Sequence, residues 1–133
     1  MRLWHEALIQ YLPRQQLLGQ HRECCALRGN GWGKKHATVN YVFEHPYGWL
    51  VSYHWKVINE MEKRGYKTNK LWDDCLYRGK KCKPISKKLG WEVFRTTCND
   101  IDRKYTYLEH NEAYLKECLE NLKQKGIIIN EQI

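Results

Sequence analysis

The chain has 133 residues and a formal net charge of +8, with 42% hydrophobic and 29% charged residues. This length fits one domain with one modest core, and the composition excludes a disordered chain. No segment approaches the roughly 20 apolar residues that a membrane span needs, and the N-terminus lacks the apolar run of a signal peptide. We therefore expect a single cytoplasmic domain over residues 1–133, with no membrane partner.

Aromatic residues accompany the positive charge, because the chain has six tryptophans and nine tyrosines. Lys and Arg neutralise phosphates and aromatic faces stack on unpaired bases, so the combination favours a nucleic-acid partner. The alternative is that the rings form the core and the charge serves only solubility. The six cysteines include no CxxC pair, and their spacing matches structural zinc patterns poorly. We expect reduced thiols and no bound metal.

The first predicted helix spans 14–28, because Pro13 suits a helix start and Gly29 a helix end. The twelve residues before it are mostly apolar and are expected to pack against the rest of the domain. One side of the helix gathers Leu17, Leu18, His21, Cys24 and Cys25. Glu23 falls on the opposite side between Gly19 and Ala26, with open space around it. It is either the floor of a site for a polyanion or a solvated carboxylate.

The run GNGWGKK, residues 29–35, follows this helix. Its glycines allow the backbone to approach a phosphate closely, and Lys34 and Lys35 add positive charge. Trp32 offers a ring beside them. The run has neither P-loop nor dinucleotide-binding spacing, so it is either a DNA-backbone contact or an ordinary turn.

The remaining chain predicts two further helices. Residues 36–43 fit either a short strand or a buried helical turn. A helix over 46–64 has an apolar face and ends at Gly65. The last helix begins at His110 or Asn111, ends at Gly126 and carries an apolar stripe. Between them, residues 66–108 read as a long, irregular, basic connection. The expected fold is therefore mainly α, compact, with three principal helices.

A basic protein with a well-placed glutamate and no Ser-His-Asp pattern has few routes to chemistry on DNA. In one of them an amine attacks the sugar carbon that bears the base, forms a Schiff base, and a carboxylate moves the protons. A chain-terminal α-amine has a pKa of about 7.7 to 8.0, so a useful fraction is neutral at pH 7. Residues 1–12 could bring this amine to Glu23.

Three stretches of the chain resemble the pyrimidine-dimer DNA glycosylase/AP lyase family, of the phage endonuclease V type. The best match is RQQLLGQHRE within the first 28 residues, which is similar to the family's helix with its Arg-Glu pair. A second match runs from VNYVFEH to EMEKRGY, residues 39–66. A third and weaker one is YLEHNEAYL, residues 107–115.

The resemblance implies a DNA repair enzyme that flips a damaged pyrimidine out of double-stranded DNA, excises it and cleaves the strand by β-elimination, without a cofactor. Pyrimidine dimers are one candidate lesion. Glu23 would be the catalytic carboxylate and Arg22 would grip phosphates. Gln15 matches a position near the family's active site, and Gln16 replaces the family's histidine.

The chain departs from the family at several positions. A bulky second residue normally prevents removal of the first methionine, so the expected nucleophile is the α-amine of Met1, or of Arg2 if Met1 is removed. Ala26 replaces a family arginine, and Arg28 is expected to substitute for it. The expected monomer would then contact DNA through a set of eight residues: Arg2, Gln15, Gln16, Arg22, Arg28, Trp32, Lys34 and Lys35.

Two alternatives remain open at the level of the sequence. One is a nucleic-acid-binding domain without catalysis, in which Glu23 is only solvated. The other is a metal-dependent nuclease using His21, Glu23 and a cysteine. His21 and Glu23 lie about 200° apart on a helix, which opposes a shared metal ion.

Overall fold

The computed structural model describes residues 2–98 and 103–129, and in these residues it contains helices but no strand. The four α-helices are α1 (Arg14–Arg28), α2 (Tyr47–Lys63), α3 (Lys87–Cys98) and α4 (Glu112–Gln124). Short 3-10 helices cover Glu6–Tyr11, Asn40–Glu44 and Lys70–Asp73. The mainly α prediction is confirmed, with the 3-10 turn Asn40–Glu44 where the sequence allowed either a strand or a helical turn.

Helix α2 is the centre of the fold, since α1 and α3 both pack against it. Its buried face is the predicted apolar one, with two polar ring side chains added: Leu50, Val51, Tyr53, His54, Val57, Ile58 and Met61. Gly48 allows α3 to approach closely. A Cβ at Gly48 would lie 2.1 Å from Thr96 Oγ1 and 2.6 Å from the Thr97 nitrogen, so no larger residue fits without a shift of α3.

Residues 66–108 were expected to be irregular, but they contain helix α3. It buries only Val93, Thr96 and Thr97, and so it lacks the apolar stripe by which a helix is usually recognised. The hydroxyl groups of Thr96 and Thr97 donate to the Val93 carbonyl oxygen, which satisfies them inside the contact with α2. Small polar residues against Gly48 therefore make an interface that hydrophobic periodicity does not reveal.

The N-terminal segment packs against the body of the protein, as predicted. Five of its apolar side chains are buried: Leu3, Trp4, Leu8, Ile9 and Leu12. Two tyrosines hold its backbone, because Tyr53 of α2 donates to the Trp4 carbonyl at 2.6 Å and Tyr114 of α4 donates to the Leu3 carbonyl at 2.5 Å. This segment is consequently fixed between α2 and α4.

His110 gives the fold a predictable response to acid. Its Nδ1 accepts from the Glu6 backbone N–H at 3.0 Å, so the neutral ring carries its proton on Nε2, 2.8 Å from the Tyr41 hydroxyl oxygen. Burial lowers the pKa of His110 to about 3. Because the unfolded chain binds this proton near pH 6.5, stability is complete above that pH and falls progressively towards pH 3.

We expect His110 alone to lower the free energy of unfolding by about 2 kcal/mol between pH 6.5 and pH 5, at about 1.4 kcal/mol per pH unit. Urea unfolding of His110→Gln at several pH values should therefore show a flatter pH dependence than the wild type. His36→Gln, at an exposed histidine, is the control and should keep the wild-type slope. An unchanged slope in His110→Gln would contradict this explanation.

Candidate active site

Glu23 lies at a cavity of about 260 Å³ where the N-terminal segment meets α1 and α4. Nine residues line this cavity: Arg2, Trp4, Gln16, Gly19, Gln20, Glu23, Thr38, Asn121 and Lys125. The larger cavity of about 950 Å³ lies elsewhere, around Glu6, Lys56 and Tyr105, and mixes acidic with basic side chains. The Glu23 cavity brings together three residues predicted to act in one site, namely Arg2, Gln16 and Glu23.

The side-chain amide of Gln20 organises this cavity. Its Oε1 accepts from the Trp4 backbone N–H at 2.7 Å and lies 3.1 Å from the Tyr53 hydroxyl oxygen. Its Nε2 donates to the Arg2 carbonyl at 2.9 Å and to Glu23 Oε2 at 3.2 Å. Gln20 is 1% exposed, and its amide uses both N–H donors and at least one lone pair of its oxygen in these contacts. Gln20 therefore ties the N-terminal segment to the Glu23 carboxylate.

Arg2 meets Glu23 through its backbone. The Arg2 N–H donates to Glu23 Oε2 at 3.3 Å. Its guanidinium turns away, donates to Glu117 Oε2 at 3.1 Å and lies 5.8 Å from the ring centroids of both Trp4 and Tyr114. Met1, the predicted source of the nucleophilic amine, lies outside the described residues.

The helix face beside Glu23 is open, as the sequence predicted. A Cβ at Gly19 would meet only the Arg22 guanidinium, at 3.7 Å, and Ala26 is exposed. Arg22 and Gln15 are exposed, whereas Gln16 is half-buried in the cavity wall. Glu23 itself is half-buried, because the Gln20 amide and the Arg2 backbone cover one side of it.

Arg28 lies inside the domain and not on its surface. The sequence predicted a DNA contact, but this side chain is 0% exposed. Its guanidinium donates to the backbone carbonyls of Trp72, Asp74 and Tyr77 at 2.7 to 3.0 Å. Arg28 therefore holds the segment after α2 onto α1 and has no free surface for DNA. The rule that charged side chains point to solvent failed because the guanidinium finds carbonyl acceptors inside.

The glycine-rich turn after α1 has mixed roles. Trp32 is half-buried and packs edge-on against Phe43 and Tyr47, each with ring centroids 5.1 Å apart, so much of its surface serves the core. Lys34 and Lys35 are exposed. Lys34 also lines a cavity of about 350 Å³ together with Lys80, Lys81 and the turn itself. Cations from two distant segments therefore meet at this turn.

A histidine and cysteine cluster lies behind the turn. His21, Cys25 and His54 have ligand atoms within 4.8 Å of one another, and they are the one such group in the parts of the chain that are described. The Arg28 guanidinium, which can only donate, lies 3.1 Å from His54 Nδ1. A neutral His54 therefore carries its proton on Nε2 and donates it to His21 Nδ1 at 2.8 Å.

The cluster is satisfied as a hydrogen-bond chain. Burial, with Arg28 nearby, lowers the pKa of His54 well below its ordinary value, and burial raises the pKa of Cys25 to about 11. A metal ion on His54 Nε2 would have to displace the proton that Arg28 keeps there. Glu23 is not part of this group, so the metal-ligand set considered from the sequence, His21 with Glu23, is not assembled.

Sequence reasoning missed several lining residues of the Glu23 cavity, chiefly Gln20, Thr38, Asn121 and Lys125. Gln20 could have been predicted from the sequence, because it lies one helical turn before Glu23 and interrupts the apolar side of α1. Asn121 and Lys125 could not be found in this way, since only the packing of α4 brings them to α1.

Residues 2–98 and 103–129 include no helix that is both long enough and apolar enough to cross a membrane. The fold and the cavity define an all-helical basic domain with a carboxylate held against the N-terminal segment. The model of the family described as pyrimidine dimer DNA glycosylase matches residues 1–74, which is more than half of the chain. The protein belongs to this family, whose substrate is DNA. No curated protein and no solved structure matches the chain.

We expect Gln20→Leu to lower the free energy of unfolding by about 2 to 4 kcal/mol, because it leaves the buried Trp4 N–H without an acceptor and removes the donor to the Arg2 carbonyl and to Glu23. Urea unfolding at pH 7 measures this loss. Gln15→Leu, an exposed position on the same helix, is the control and should change stability by less than about 0.5 kcal/mol. Equal effects of the two substitutions would contradict the role given to Gln20.

Proposed function

We propose that the protein is a DNA glycosylase with AP lyase activity that removes damaged pyrimidines from double-stranded DNA. The catalytic groups are an N-terminal α-amine and Glu23, and no cofactor takes part. The observation that carries the proposal is the 3.3 Å hydrogen bond between the Arg2 backbone nitrogen and Glu23 Oε2. The family membership supports the glycosylase part, and the lyase chemistry is our inference from this geometry.

The chemistry needs only these two groups. The neutral amine attacks C1′ of the damaged nucleotide, the bond from C1′ to the base breaks, and the base leaves with that electron pair and takes up a proton. The sugar ring opens as a Schiff base between C1′ and the amine. The Glu23 carboxylate then accepts a proton from C2′, and the bond from C3′ to its phosphate oxygen breaks. The last step is β-elimination and cleaves the strand.

The identity of the amine depends on processing. If the first methionine is removed, the Arg2 nitrogen becomes the α-amine, and it already lies at hydrogen-bonding distance from Glu23. If Met1 is retained, the α-amine belongs to the residue before Arg2. Consecutive Cα atoms are only about 3.8 Å apart, so this amine is still within one residue of the Arg2 nitrogen. We propose the Met1 amine, because a second residue as bulky as arginine opposes removal. An intact mass measurement distinguishes the two cases.

DNA would lie on the open face of α1. Arg22 and Gln15 are exposed there, and Gln16 lines the cavity that would receive the flipped nucleotide. Lys34 and Lys35 extend the positive surface beyond the end of the helix. Flipping a damaged nucleotide is less costly than flipping an intact one, because a lesion weakens pairing and stacking. Arg28 has no part in this surface.

We expect Glu23→Gln to reduce cleavage of a duplex with one abasic site by at least about 100-fold, since the amide cannot accept the C2′ proton. Gel electrophoresis of an end-labelled duplex measures the rate. Glu120→Gln, at an exposed carboxylate of α4, removes the same charge and should cleave normally. Normal duplex binding with no cleavage by the wild type would instead favour a binding domain without catalysis.

We expect borohydride to trap a covalent complex between the wild-type protein and abasic-site DNA, because it reduces a Schiff base to a stable amine. Peptide mapping by mass spectrometry should place the adduct on the N-terminal peptide. An adduct on a lysine peptide would overturn the assignment of the nucleophile. Loss of activity with a chelator would instead support the metal-dependent alternative, with the cluster of His21, Cys25 and His54 as its centre.

A further inference from the structure

The outward face of α3 carries two exposed aromatic rings. Trp91 is 70% exposed and Phe94 is 49% exposed. Their ring centroids lie 6.0 Å apart at an interplanar angle of 29°, so the rings stack on one another in solvent. The opposite face of α3 buries Val93, Thr96 and Thr97 against α2. Exposed apolar surface of this kind, rimmed by polar residues, marks an interaction site.

Cations surround these rings. Lys87, Lys88 and Arg95 lie within about 60° of Trp91 around the helix axis, and all three are exposed. The only acidic residue of α3, Glu92, forms a salt bridge with Arg95, so the net positive charge of this face comes from Lys87 and Lys88. Three more exposed cations precede the helix in sequence, Lys80, Lys81 and Lys83, of which Lys80 and Lys81 line the cavity at the glycine-rich turn. The surface therefore combines two aromatic rings with the positive charge of Lys87 and Lys88.

This pairing of rings and cations selects among partners. A second copy of the chain would bring like charges face to face in a two-fold contact, which is unfavourable. A nucleic acid offers phosphates to the cations and flat faces to the rings. In a duplex the base faces are covered by their neighbours, whereas an unpaired strand leaves them free to stack on Trp91.

We propose that this face of α3 is a second nucleic-acid site, which binds an unpaired strand by stacking bases on Trp91 and Phe94 and by pairing phosphates with Lys87 and Lys88. None of these residues lines the Glu23 cavity, and all of them lie outside the 1–74 family match. Binding at this site does not depend on the chemistry proposed for Glu23.

The test measures binding of a fluorescein-labelled oligothymidine strand by anisotropy. We expect the double variant Trp91→Ala with Phe94→Ala to bind at least about tenfold more weakly, given the usual contribution of base stacking. Leu108→Ala is the matched control, because Leu108 is another exposed apolar residue at 66% exposure, and it should bind like the wild type. Glu23→Gln should also bind the strand normally, and the double variant should cleave abasic duplex at the wild-type rate.

A second variant tests the cations and does not depend on the aromatic substitutions. Lys87→Gln with Lys88→Gln should lower the slope of log affinity against log salt by about 1.4, at about 0.7 per phosphate contact of a single strand. Wild-type affinity in the aromatic double variant, or an unchanged salt slope in the lysine variant, would overturn the proposal. So would a wild-type dimer in sedimentation that the aromatic double variant converts to a monomer.

Discussion

The candidate site depends on how the N-terminal segment is held. A chain terminus usually loses order because few contacts offset its entropy. Here Leu3 and Trp4 are buried, two tyrosine hydroxyls donate to their carbonyl oxygens, and the Gln20 amide oxygen accepts from the Trp4 backbone N–H. The same amide donates to Glu23, so the segment and the carboxylate share one support. A shift of the segment would therefore disturb the carboxylate as well.

Arg28 provides the second support, on the far side of α1. An arginine inside a protein is tolerated only when its donors are satisfied, and here backbone carbonyls after α2 and one histidine nitrogen accept them. These contacts hold the C-terminal end of α1 in place, although none of these acceptors of the Arg28 guanidinium is a carboxylate. They also determine the tautomer of His54, and through it the hydrogen bond to His21. A residue expected to face DNA thus organises the inside of the domain.

The elements with regular apolar spacing could be predicted from the sequence. The bounds of α1 and α2 follow from Pro13, Gly29, Pro46 and Gly65, and the structure places them within one residue of the prediction. Helix α3 could not be predicted, because its contact with α2 uses threonines and a glycine in place of an apolar stripe. Periodicity detects apolar burial, and it does not detect polar residues that satisfy their own hydrogen bonds inside an interface.

The same limit applies to the cavity. Glu23 stood out because its neighbours on α1 are small, which is a local property of the sequence. Asn121 and Lys125 enter the cavity because the N-terminal segment docks on α4 through Tyr114, a contact that spans 111 residues of chain. They also lie beyond residue 74, where the family match ends. The catalytic pair of the proposal thus belongs to the matched part of the chain, whereas the unmatched part supplies the far wall against which a flipped nucleotide would rest.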